Sequence, residues 1–154
     1  MNNKEKLKKF LIESNKAGFA SGDSSTWRKE PDGSTTIYYE KGDWKSDDNY
    51  FGGEPYGGRI IVSYKGKPIW MMVYYGWVEE GIENEPIYAV LQNALKQMPK
   101  NMPLRGPTEY KKKSYTYENK WEGNIERYSG REKILLEGKI VYEASYLGGL
   151  VDKE

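Results

Sequence analysis

The segment KPIWMMVYYGW, residues 67–77, constrains the fold more than any other part of the chain. Strand side chains alternate between faces, so Ile69, Met71, Val73 and Tyr75 share one face and Trp70, Met72 and Tyr74 the other. A strand apolar on both faces belongs in the centre of a sheet, which predicts cover on both sides, by helices and by an aromatic cleft. Upstream, Ile60, Ile61 and Val62 reach this strand through Lys65-Gly66-Lys67, so the two runs form a β-hairpin. Gly52-Gly53 and Gly57-Gly58 lead into the hairpin and predict a bulge or tight turn. They do not form a G-x-G-x-x-G or a Gly-Lys-Ser/Thr phosphate loop.

Around the hairpin the pattern alternates between helix and strand. Leu7, Phe10, Leu11 and Ser14 fall on one stripe of a helix over residues 4–14, with Gly18 as its stop. Residues 21–34 are rich in Gly, Ser, Asp and Pro and read as loop, followed by a strand over 35–41 and a return strand from Trp44 to Tyr50. Asn84 or Glu85 caps a second helix with Pro86 at its first position. Its stripe is Ile87, Tyr88, Leu91, Ala94, Leu95 and Met98, closed by Pro99 and Pro103. Short strands follow over 114–120, 125–128, 131–136 and 139–147. No repeat or linker splits the chain, so residues 1–154 are expected to form one α+β domain. Its mostly antiparallel sheet has about six strands, with an N-terminal helix and one mid-chain helix packed on it.

Composition removes many chemistries. With no Cys and no His, disulfides, thiolate nucleophiles, imidazole catalysis and most transition-metal sites are excluded. Carboxylate, Tyr or Lys chemistry and an all-oxygen cation site survive. Twenty-four basic residues against 23 acidic ones leave a formal charge of +1, which gives no global pull toward nucleic acid. Lys111-Lys112-Lys113 among Tyr110, Tyr115 and Tyr117 is the one basic and aromatic cluster; as a solvated loop it predicts no direct DNA binding. A mean hydropathy of −0.89, with no apolar run near 18 residues, predicts no membrane span. The N-terminus lacks an apolar core for a secretory signal, and a cytoplasmic protein is expected.

Candidate site residues gather near the hairpin. Asp47, Asp48, Asn49 and Glu54 flank the glycine pairs, where carboxylates beside approachable backbone suit a hydroxyl-rich ligand or a divalent cation. They lack calcium-loop spacing and read more readily as solvated turn residues than as ligands, so neither a metal nor a cofactor is assigned. The candidate ligand-binding set is Trp27, Trp44, Asp48, Tyr50, Glu54, Arg59, Trp70, Tyr74, Arg105 and Arg131, since aromatic walls with a few polar groups describe a pocket. Trp27, beside Arg28 in a polar loop, is the functional candidate among the tryptophans; Trp70, on the central strand, is the structural one.

The pieces LKKFLIESNKAGFAS, IYYEKGDWKSDDNYFGGEPYGG, GKPIWMMVYYG, LRGPTEY, YSGREKI and GKIVYEASYLGGLV occur in an order that resembles a bacterial domain-of-unknown-function family. Its members occur alone or behind an XRE-type helix-turn-helix domain, and the likeness covers nearly the whole chain. The resemblance implies an acidic residue where this chain has Arg59 and an Asn where it has Val73. If those positions line a ligand site in the family, both departures bear on it. No helix-turn-helix pair is read ahead of the domain, so a sensing rather than a DNA-reading role is implied.

Three functions fit these observations. The first is a binding or sensor module with an aromatic-lined cleft for a small polar molecule or a protein partner. The second is a carboxylate-dependent hydrolase or lyase using Asp48 and Glu54 as acid and base. The third is a phage or mobile-element protein that sequesters a nucleotide signal through Arg59, Arg105 and Arg131. In each case the fold is independent of metal. Thermal melts with and without a chelator should therefore coincide, and a fall of many degrees on chelation would restore a metal site at Asp47, Asp48 and Glu54.

Overall fold

The computed structural model describes residues 2–152. In chain order the elements are α1 (Asn3–Ala17), β1 (Arg28–Lys29), β2 (Thr35–Lys41), β3 (Trp44–Phe51), β4 (Tyr56–Tyr64) and β5 (Lys67–Val78). Then come α2 (Asn84–Leu95), β6 (Glu109–Lys112), β7 (Tyr115–Asn124), β8 (Arg127–Leu136) and β9 (Lys139–Leu150). All neighbours are antiparallel, in the order β1-β2-β3-β4-β5-β9-β8-β7-β6. Nine strands replace the six or so that the sequence predicts. β1 and β6 lie in segments read as loop, because pairing to β2 and β7 defines them rather than an apolar pattern. The runs at 125–128 and 131–136 fuse into one strand through Gly130. The Tyr146 ring occupies the space of a side chain there, and a Cβ on Gly130 would lie 2.1 Å from its Cζ.

The predicted hairpin is β4–β5, turning at Lys65 and Gly66, both with positive φ. Gly57 and Gly58 lie within β4 rather than in a bulge before it. A Cβ on Gly58 would fall 2.4 Å from the Asn49 carbonyl oxygen and 2.6 Å from the Tyr50 Cβ. The tight turn is at Gly52, with φ 81°.

Alternation divides the sheet into two faces, and both helices cover the same one. α1 begins at Asn2, whose side chain accepts the Glu5 N–H at 2.8 Å. It buries Leu7, Phe10 and Leu11 against Val62, Trp70, Met72 and Tyr146. α2 buries Ile87, Leu91 and Leu95 against Val78, Ile134 and Tyr142. Its cap is Glu83, so Pro86 takes the third helical position and not the first; its missing N–H costs nothing in the first turn. The opposite face is open, contrary to the two-sided cover expected of β5. Val73 is 37% exposed, Tyr75 52% and Leu147 56%. An antiparallel sheet tolerates this, whereas a parallel one, with crossover helices on both sides, does not. Among the described residues no helix is long and apolar enough to cross a membrane.

Trp70 sits where β5 meets α1. It is 1% exposed, its Nε1–H donates to the Ile125 carbonyl at 2.9 Å, and its ring stacks on Tyr128 at 5.6 Å. Trp70→Ala should destabilise by about 3–5 kcal/mol in denaturant unfolding, through the cavity and the lost hydrogen bond. Trp27→Ala, at a half-buried position, should cost clearly less, and equal losses would contradict this placement.

Candidate functional site

β3 places Ser46, Asp48 and Tyr50 on the helix-covered face and Asp47 and Asn49 on the open one. Asp48 therefore stands between Ile37 of β2 and Ile60 of β4, among apolar neighbours. Its Oδ1 accepts the Tyr74 hydroxyl at 2.5 Å. Burial pushes its carboxyl up to about 6, offset in part by that hydrogen bond and by the Arg105 charge. Tyr74 is held far above the ordinary phenol range, by burial first and then by the neighbouring carboxylate.

Arg105 reaches the same space from the segment after α2. Its Nε donates to Glu132 Oε1 at 3.0 Å and its Nη2 lies 2.9 Å from the same oxygen. Glu132 is buried in the middle of β8 and also accepts the Tyr117 hydroxyl. The segment is pinned further at Gly106, whose N–H donates to the Tyr117 oxygen at 3.1 Å and whose carbonyl accepts from Asn119 Nδ2 at 2.9 Å. Tyr146 closes the network by donating to Asn119 Oδ1 at 2.8 Å. A Cβ on Gly106 would lie 2.7 Å from the Tyr117 ring, so glycine is required for this approach.

Between these groups lies a cavity of about 350 Å³. Asp48, Tyr50, Tyr74 and Arg105 line it, joined by Tyr56, Tyr88, Phe19, Ile37, Thr35 and Lys29. The Tyr56 ring lies 5.9 Å from Tyr74 and 6.2 Å from Tyr88. Their hydroxyls are committed elsewhere: Tyr56 to Tyr142, and Tyr88 to Glu54 Oε1 at 2.7 Å. The rings are thus fixed and present their faces and edges to the space.

The structure brings together four of the ten sequence candidates, Asp48, Tyr50, Tyr74 and Arg105. Glu54 stands one layer behind, anchoring Tyr88 and accepting the Val78 N–H at 2.9 Å. Trp27 packs behind the wall on Phe19 and Tyr50, its indole nitrogen buried without a hydrogen-bond partner. Trp44 stacks on Phe10 at 5.4 Å, away from the cavity, and Trp70 is core. Arg59 and Arg131 point to the open face; Arg59 lies 3.9 Å from Asp47. The three arginines therefore do not converge. Asp47 and Asp48 face opposite sides, and among the described residues no three acidic groups gather to hold a metal.

Tyr56, Tyr88 and Glu132 are the contributors that sequence reasoning missed. Tyr56 stands between the glycine pairs and reads as part of a turn, while Tyr88 reads as core stripe. Glu132 carries a usable signal: it is in phase with Ile134 on β8, so alternation alone puts a charge on the buried face. Because Asp48 binds its proton more tightly folded than unfolded, its stabilising share is complete below about pH 4 and is lost as pH rises through about 6. Asp48→Asn keeps an acceptor for Tyr74 and removes the charge. It should raise stability by about 1–2 kcal/mol at pH 7.5, with the gain vanishing by pH 4 in urea titrations.

A search of curated proteins gives no match, and neither does a search of solved structures. Residues 48–151, more than half of the chain, match a family described as "Domain of unknown function (DUF5680)". That segment runs from the Asp48 of the cavity to the end of the sheet, and the chain belongs to the DUF5680 family.

Proposed function

We propose that the protein is a small-molecule-binding module, acting in the cytoplasm as a sensor or a sequestering protein. The observation that carries this reading is Asp48. An ionisable carboxyl is kept inside an apolar face, at a cost to stability at neutral pH, and opens on a cavity of about 350 Å³. Fixed tyrosine rings, a guanidinium and one carboxylate supply the apolar walls and the few polar groups of a ligand pocket. The implied link to XRE-type regulators fits a sensor arm whose pocket responds to a metabolite. For a hydrolase or lyase, Asp48 has a proton affinity suited to acid–base work. Glu54, the second carboxylate that such chemistry would use, is occupied in holding Tyr88 and the Val78 N–H.

Gly53 offers a direct test. It lines the cavity, and a Cβ there meets nothing within 4 Å. Gly53→Phe should place a ring in the cavity mouth with the melting temperature unchanged. Native mass spectrometry of protein isolated from cells should show a retained small molecule on the wild type and none on Gly53→Phe. Equal retention by both, or no retained molecule and no thermal shift across a metabolite set, would overturn the reading.

A further inference from the structure

Resting on that reading, we propose that the cavity takes an organic cation: a protonated or quaternary amine on a small apolar body, its charge against Asp48 and its body against Tyr56, Tyr74 and Tyr88. The charges around the cavity point this way. The largely buried Arg105 guanidinium is matched at 2.9 Å by the fully buried Glu132, so this pair contributes no net charge to the wall. Lys29, at the exposed rim, donates to Thr35 Oγ1 at 2.9 Å. Among the described residues Asp48 has no ion-pair partner within 4.0 Å and one hydrogen bond, from Tyr74, with the Arg105 charge acting on it from further off. A desolvated carboxylate gains most from a cation, and a ligand carboxylate or phosphate would meet repulsion there.

The walls favour the same ligand. The hydroxyls of Tyr56, Tyr74 and Tyr88 are each engaged, by Tyr142, Asp48 and Glu54, so the rings offer π surface rather than hydrogen bonds, with one face of Tyr74 already under the Arg105 guanidinium at 6.0 Å. Aromatic faces around a carboxylate bind ammonium groups through the ring quadrupole as well as the charge.

Calorimetry with four benzyl probes tests the charge: benzyltrimethylammonium, benzylamine, benzyl alcohol and benzoate. The two cations should bind at pH 7.5 more tightly than the alcohol, and benzoate most weakly. The charge of benzyltrimethylammonium is independent of pH, so its profile reports the protein. The charged and titratable groups acting on Asp48 are Asp47 beside it, Arg59 on β4, Tyr74 on β5 and Arg105 after α2; Lys29 on β1 is at the rim. With Asp48 titrating near 6, affinity for the quaternary cation should fall about tenfold between pH 7.5 and pH 5. Asp48→Asn should lose the preference for the cations over benzyl alcohol and the pH dependence.

Tighter binding of benzoate, a flat or rising profile toward pH 5, or undiminished cation binding by Asp48→Asn would overturn the inference. Benzyl alcohol binding as tightly as the cations would overturn it and leave the module reading intact. If no probe binds, the molecule retained in native mass spectrometry decides. An amine supports the inference, a ligand without a cationic group overturns it alone, and no retained molecule together with no thermal shift across the metabolite set overturns both.

Discussion

The cavity depends on one buried ion pair. Arg105 belongs to a segment without regular structure, between α2 and β6, that carries its own backbone polar groups into the interior. Glu132 fixes the guanidinium, Tyr117 and Asn119 take up the Gly106 N–H and carbonyl, and Tyr146 orients Asn119. A buried pair contributes little net stability, but losing one partner leaves a desolvated charge, which costs about 3–5 kcal/mol. The network is better understood as a positional device. It fastens the segment after α2 to β7, β8 and β9 and thereby sets one wall of the space in front of Asp48.

Small residues in the sheet make room for this arrangement. Gly130 yields to the Tyr146 ring, Gly76 to Tyr56 and Gly58 to Tyr50. A Cβ on Gly76 would lie 2.7 Å from the Tyr56 hydroxyl, so glycine at that point of β5 lets Tyr56 lie across the strand and reach Tyr142. The tyrosine wall and the glycines in the strands are thus one feature: large rings on the helix-covered face need vacant positions opposite them.

Side-chain alternation made the hairpin and both helices legible, because apolar periodicity reports which face is buried. It also placed Tyr74 on one face with Trp70, as β5 has them. It could not say how far along the strand the site extends. Trp44 has the same parity as Asp48 but lies four residues away, roughly 13 Å along β3, and so belongs to the α1 core. β1 and β6 were illegible for another reason: edge strands of charged residues owe their form to a neighbour's unpaired backbone, not to their own side chains. Glu132 escaped notice because a charge within a strand is read as solvent-facing unless its partner, Arg105, is known to arrive from 27 residues earlier.

The open face carries the two positions, 59 and 73, at which the resemblance implies other residues. Arg59 and Val73 are directly opposed across β4 and β5, and both project away from the helices. Neither touches the cavity, since inward positions on these strands belong to residues 58, 60, 72 and 74. Arg59 and Val73 adjoin at outward positions and so belong to one surface patch. Arg59 finds Asp47 on the next strand, and Val73 adds to the exposed apolar strip of Tyr75 and Leu147. Residue 59 therefore reaches the site only through its charge, which acts on Asp48, and a one-sided sheet otherwise keeps the two surfaces apart: the backbone layer separates the side chains of the outward face from those Asp48 meets within.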